Sequence, residues 1–305
     1  MKAVGTKGRV SVWKKLYDDR ISWLYLSPFL ILFITFTVIP VIISIFYSFT
    51  SFDLLQAPRW VWLDNYKNLF VNDDVFQIAV KNTLVFSIIT GPVGYIASLL
   101  IAWILNEFGP KFRALMVLLF YAPTISGQIY MIWGAMFSSD SMGYVNAVLL
   151  QLGVIDGPIQ WLKDTRYIMT IVIIVALWMS LGSGFLAFIA GLQGMPKELY
   201  EAGYVDGIRN RFQELWYITL PQMKPQLMFG AIMSVTSSFA AADVMTGLAG
   251  FPSVGYAAHT IVTHLMDYGT IRFEMGYASA IAAVLFVTMV VLNKIIQFLL
   301  GRIGK

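Results

Sequence analysis

Charge is missing from six long stretches of this chain, and that absence limits what it can fold into more than any other property. Residues 21–52, 82–106, 114–139, 167–196, 225–242 and 275–293 hold no Asp, Glu, Lys or Arg. A hydrocarbon core is crossed by roughly 17–25 apolar residues in a helix. Backbone amides find no water inside a bilayer, so each run must satisfy them within itself. Continuous apolar runs do this only as helices, because a barrel strand would be polar at every second position. The expected fold is all-α: a polytopic integral membrane protein with six transmembrane helices.

Composition removes several alternatives. With 58% hydrophobic and 12% charged residues, the chain carries about half the charge of a soluble domain. The first run is too long for the apolar core of a signal peptide and no small-residue cleavage pattern follows Pro40, so it is expected to stay as an anchor. Cysteine is absent, which excludes disulfides and thiolate metal sites. His259 and His264 stand five positions apart, off a common helical face, so no metal site is expected. No nucleophile and base pair stands out, and no catalytic residue is expected.

Orientation follows from the basic residues. A cytoplasmic N-terminus places fifteen of the 21 Lys and Arg residues inside, among them Lys111, Arg113, Lys197, Arg209, Arg211, Lys224 and Lys294. The other side receives Arg59, Lys67, Lys81, Lys163, Arg166 and Arg272, with most of the acids. The positive-inside rule then sets both termini in the cytoplasm. The same clustering beside the spans argues against nucleic acid as the reason for the net charge of +4. Residues 1–20 form a cytoplasmic N-terminal segment in which 10–16, around Trp13, suits a short interfacial helix or a frayed tail equally. The uncharged stretch 244–266 is not counted as a seventh span. Gly247, Gly250, Pro252 and Gly255 read as helix exit and loop, and its two histidines are costly at a bilayer centre.

Thr90-Gly91-Pro92 and Pro123 are expected to bend the second and third spans. Trp60, Trp62, Tyr66 and Phe70 in the first outer loop suit the headgroup level. The second outer loop, 140–166, is long enough to hold a small helix lying along the membrane.

Between the fourth and fifth spans lies a charged segment, 195–221. Pro196 fits a first helical turn, Glu198 and Glu201 fit the turns favoured by the helix dipole, and Gly207 fits the position after a helix end. A second helix can begin near Asn210 and run through Trp216 until Pro221 interrupts it. Two short helices about a glycine make a protrusion suited to a groove on another protein. Within it, Glu201-Ala202-Gly203, three residues, Gly207, ten residues and Ile218-Thr219-Leu220-Pro221 resemble the EAA loop of binding-protein-dependent ABC importer permeases. That family's pattern has alanine in place of Gly203 and is one residue shorter before the isoleucine. Asn146-Ala-Val-Leu149 with Gly153 and Trp161-Leu162, Gly191-Leu-Gln193 with Pro196, and Met275-Gly-Tyr-Ala-Ser-Ala280 are similar to the maltose-type carbohydrate branch. The likeness covers about residues 20–300.

The resemblance implies a type I ABC importer permease fold over 21–305, with a cytoplasmic coupling loop at 195–221, in a bacterial cytoplasmic membrane. Glu198, Glu201, Ala202, Gly203, Asp206 and Gly207 would dock on a separate ATPase. A second homologous permease subunit, an ABC ATPase dimer and an extracytoplasmic solute-binding protein would complete the assembly within the lipid bilayer. No Gly-x-x-x-x-Gly-Lys-Ser/Thr phosphate loop occurs in the chain, so ATP and Mg belong to the partner ATPase and no cofactor is expected here. The implied function is the transmembrane permease of an ATP-driven importer that moves a sugar or oligosaccharide by alternating access.

A sugar path needs hydroxyl and amide partners beside aromatic faces. By similarity to the maltose-type permeases, Phe120, Thr124, Ser180, Ser183 and Ser237 line a central cavity. Asp243, an ionisable group at the end of the fifth span, is a candidate for substrate contact, for a gate or for capping. Each serine also suits close helix packing or a bond to its own backbone. Two rivals remain: an ATP-independent secondary transporter, which requires paired midspan ionisable groups and inverted halves, and an ABC importer for a non-sugar polar solute.

Overall fold

The computed structural model of the protein describes residues 20–126 and 129–301. The expectations for residues 1–19, including the helix at 10–16, lie outside the described residues. Helix α1 (Arg20–Tyr47) is the first span. It stops short of residue 52 because Thr50–Ser51 (β1) and Arg59–Trp60 (β2) form a small antiparallel hairpin, with Thr50 opposite Trp60. After α2 (Asp64–Lys67) comes α3 (Asp74–Asn106), the longest helix described. It begins before residue 82 because Asp73 caps it, Oδ1 accepting from Phe76 N at 2.8 Å and satisfying one orphan donor of the first turn. Pro92 lies inside α3 without dividing it.

Helices α4 (Pro110–Ile125) and α5 (Ile129–Met136) meet at 87°. The expected outer-loop helix is α6 (Tyr144–Gln151). The fourth span consists of α7 (Ile168–Trp178) and α8 (Ser183–Gln193). Outside the spans, α9 (Lys197–Val205) and α10 (Arg211–Glu214) build the charged elbow. Helices α11 (Lys224–Phe239) and α12 (Asp243–Ala249) meet at 42°, and α13 (Ile261–Met266) precedes the last span, α14 (Met275–Leu300). Four spans qualify by length and apolarity, the fourth with its turn at 179–182, and six result when the bent pairs α4/α5 and α11/α12 each count as one. The stretch 244–266 is no seventh span, yet Gly247 sits inside α12 rather than at a helix exit. The exit is Gly250, at φ 72°.

Helix α3 is the hub, packing most extensively on α11 and α8. Ala102 and Leu105 of α3 meet Phe185, Phe188 and Leu192 of α8 and Leu227 of α11. Nearer the opposite end of α3, Phe86 joins Ile168, Val172, Val175 and Met245. Against this, α1 buries none of its residues; only its last turns, Ile39–Tyr47, lean on α14.

Candidate functional site: a cavity at two helix breaks and an exposed elbow

The fourth and fifth spans are both interrupted beside one space. Helix α7 ends at Trp178, and in the turn beyond it Gly182 N donates to Ser180 O at 2.9 Å before α8 starts. Helix α11 ends at Phe239, and Ala242 N donates to Ala240 O at 2.8 Å before α12 starts. Non-helical backbone at membrane depth persists only where protein covers it or a wet cavity meets it. Both interruptions border a cavity of about 460 Å³ whose remaining wall includes α3. Hydroxyls stitch the wall together. Ser98 Oγ lies 2.7 Å from Gly94 O and 3.2 Å from Ser180 O, its one proton shared between the two carbonyls. Ser234 Oγ donates to Gly91 O at 2.8 Å, and Ser87 Oγ reaches Ser238 O at 3.4 Å.

Thr124, Ser180, Ser183, Ser237 and Asp243 all line this cavity. Phe120 does not. One turn before Thr124 on α4, it falls outside the lining with 37% of its surface exposed. Ser180 Oγ is buried at the wall with no hydrogen-bond partner among the described residues, so a ligand or water hydroxyl would complete it. Sequence reasoning missed Thr90, Tyr95, Ser98, Tyr130 and Ser234, which also line the space. The spacing of Thr90, Gly94 and Ser98 at every fourth position was a legible signal of one small, polar helix face. Asp243 is the single carboxylate, and no Lys, Arg or His appears among the described lining residues. Neutral hydroxyls with Phe86, Tyr95, Tyr130 and Phe188 rings suit a polyhydroxylated, uncharged ligand.

At one end of the bundle the elbow folds as a self-capped unit. Ile208 N donates to Gly203 O at 2.9 Å and Gly207 N to Tyr204 O at 3.3 Å, a Schellman closure in which Gly207 takes the left-handed position at φ 93°. Asn210 then caps α10, its Oδ1 accepting from Gln213 N at 2.8 Å. Pro221 does not interrupt the helical path after α10. The chain continues as a π turn (Leu215–Thr219) and a further turn (Leu220–Gln222) that accepts proline near its start. Gly203 is buried where a Cβ would approach Ile218 Cδ1 to 2.5 Å, so glycine in place of the pattern's alanine matches the close approach of the second helix. Glu198, Glu201, Ala202, Asp206 and Gly207 are exposed. Beside them Tyr204, Val205, Phe212, Trp216 and Tyr217 are exposed as well, Val205 at 86%. An apolar and aromatic patch of this kind, ringed by charge, is characteristic of a protein contact.

The opposite end holds a polar cluster that helical spacing did not reveal. His259 lies in the turn before α13, so the two histidines need not share a helical face. His259 Nε2 is 3.1 Å from His264 Nδ1, His264 Nε2 is 3.0 Å from Asp73 Oδ2, and Tyr277 OH donates to the same oxygen at 2.8 Å. Burial pushes His259 down to about 4 and also lowers His264, although Asp73 opposes the second shift. Burial acts to raise Asp73, but the Phe76 amide, Tyr277 and His264 hold it below the ordinary carboxylate value. The contact is therefore a neutral imidazole donating to a carboxylate. Asn82 Nδ2 fastens the same loop, donating to Tyr256 O and His259 O, both at 2.9 Å. No group of three or more metal-ligating side chains occurs among the described residues.

Residues 20–305 match the family model described as binding-protein-dependent transport system inner membrane component. The chain is 36% identical to the probable ABC transporter permease protein YesP of Bacillus subtilis (strain 168), over 88% of this chain and 87% of that one. It is 31% identical to the arabinooligosaccharides transport system permease protein AraP of the same organism, over 96% and 93%. Among solved structures, a chain of the bacterial alginate ABC transporter in complex with an alginate pentasaccharide-bound periplasmic protein superposes with a TM-score of 0.78 at 25% identity, covering 96% of this chain and 98% of that one.

Proposed function

The chain belongs to the binding-protein-dependent transport system inner membrane components, and on that premise we propose that it is the permease subunit through which an ATP-driven importer passes a sugar or oligosaccharide. The single observation that carries this reading is the coincidence of two span interruptions with one hydroxyl- and aromatic-lined cavity. The relative named for arabinooligosaccharides points to the same ligand class, and the structure named for alginate to saccharides in general. An ion-coupled carrier is disfavoured because Asp243 is the only carboxylate at the cavity.

Residues 21–305 act as one permease domain, with the elbow and both termini on the cytoplasmic side. Glu198, Glu201, Ala202, Asp206 and Gly207 belong to the surface that meets an ABC ATPase dimer, where ATP and Mg are bound and hydrolysed, while Gly203, buried against Ile218, serves the coupling from within by letting the elbow close. A second homologous permease subunit closes the translocation path, and an extracytoplasmic solute-binding protein delivers ligand at the outer end. Closure of the ATPases moves the elbow, the elbow moves the half-helices that meet at the cavity, and access alternates between the two sides. Thr124, Ser180, Ser183 and Ser237 exchange hydrogen bonds with the passing ligand, while Asp243 takes a hydroxyl proton donor at the break between α11 and α12.

Reconstitution of the four components in vesicles tests the reading. Labelled oligosaccharide should accumulate only with ATP and the ATPase present. Uptake that proceeds without the ATPase, driven by an ion gradient, would overturn it.

A further inference from the structure

The elbow is joined to the cavity by its own chain, through α8 and α11, and also by a route the sequence does not foreshadow. Arg211 Nη2 of α10 bonds Glu107 Oε2, just past the end of α3, at 2.7 Å, across 104 positions of sequence. Its Nη1 bonds Glu214 Oε2 at 2.7 Å, which fixes the guanidinium to α10. One turn away the rings of Trp103 on α3 and Phe212 on α10 pack with centroids 5.5 Å apart. An ion pair as exposed as Arg211 and Glu107, at 60% and 42%, contributes little to folding. Its value lies in what it connects.

Helix α3 runs unbroken from this pair to the outer end, and on the way Ser98 and Ser87 bond the carbonyls of Ser180 and Ser238 at the two breaks. We propose that Glu107 and Arg211 are positioning residues that make the elbow and α3 one moving body, so that α3 carries the stroke to both interruptions. The inference rests on the importer reading above. It adds a claim that reading does not contain: the elbow drives α3 directly and does not slide past its end.

The natural absence of cysteine permits a direct test in the reconstituted four-component complex. Wild-type uptake is measured first, since a complex without ATP-driven uptake rejects the importer reading and not this inference. The double variant Glu107→Cys with Arg211→Cys, left unlinked, should lower ligand imported per ATP hydrolysed by about threefold or more. Joining the two thiols with a short bis-maleimide should restore that ratio, because a link between parts of one body is harmless. An unchanged ratio in the unlinked form, or a link that deepens the loss while the complex stays assembled, overturns the proposal. The charge swap Glu107→Arg with Arg211→Glu should also recover more of the ratio than either single change.

Discussion

His264 donates from Nε2 to Asp73 Oδ2 at 3.0 Å and thereby ties α13 to the residue that caps α3. The carboxylate is already engaged by Phe76 N and Tyr277 OH, so the contact gathers three segments at the end of the bundle opposite the elbow.

Acid should loosen this end. Both imidazoles are neutral in the folded protein near pH 7, His259 being pushed to about 4 by burial, whereas an unfolded histidine takes up a proton near pH 6.5. Between those values the unfolded chain holds more protons, so stability is complete above about pH 6.5 and falls as pH drops toward 4. Asp73, lowered in the fold, adds a loss in the same direction at more acid pH. The thermal midpoint in detergent should decline through this window, and His259→Phe should flatten the decline. A wild-type midpoint that does not change there contradicts the assignment.

Valine at Gly207 should uncouple the protein. The position holds φ 93°, which a β-branched residue adopts only at a cost of about 1–2 kcal/mol or more. Loss of ATP-driven uptake with normal insertion is the expected outcome; full uptake would remove Gly207 from the coupling surface.

Alanine and phenylalanine at Gly203 should differ sharply. The atom a Cβ meets is the terminal methyl of Ile218, which can rotate away, so Gly203→Ala should change stability by less than about 1 kcal/mol. Gly203→Phe leaves no such escape and should displace the second helix, seen as faster proteolysis of the elbow. Equal proteolysis of the two variants would show that the close approach to Ile218 is unimportant.

Filling the cavity should stop transport without dismantling the complex. Ser237 is exposed to that space, and Ser237→Trp should lower uptake by about tenfold or more, an effect of ~1.4 kcal/mol. Co-purification of the partner subunits with the variant is the control. Unaltered uptake would place the path elsewhere.

Asn146 should prove the fastening of the loop 140–166. Fully buried, its amide nitrogen shares its two protons among Ser138 O, Asp140 O and Ile159 O, and its oxygen accepts from Ile159 N and Trp161 Nε1. Asn146→Leu strands these groups and should destabilise the loop by about 2–4 kcal/mol, read as a lower thermal midpoint and protease cleavage within 140–166. An unchanged midpoint would refute the role.

The spans were legible because exclusion of charge is a local, composition-level demand of lipid, and Gly207 was legible because a helix exit fixes its conformation. The interruption at Met179–Gly182 was not. It contains no proline, and the turn is held from outside by Ser98 on another helix, information no window of sequence carries. Thr90 and Ser98 passed as ordinary hydroxyls for the same reason: each does bond its own helix, at 2.8 and 2.7 Å, and only tertiary structure brings them to the cavity wall. Phe120 was placed by analogy along a helix whose neighbouring turn alone reaches the cavity. A spacing of five separates two histidines only while both ride one helix, and the turn that carries His259 brings its ring to within hydrogen-bonding distance of His264.

A rod already cut into two lengths can be re-angled without tearing either. Each half of the fourth and fifth crossings keeps its own ladder of backbone bonds, and only the few residues at the joint, Met179 to Gly182 and Ala240 to Ala242, stand outside those ladders. Opening the passage then demands dihedral swings at hinges and sliding of intact cylinders, so even a modest push from one end of the molecule suffices to reshape the space in its middle.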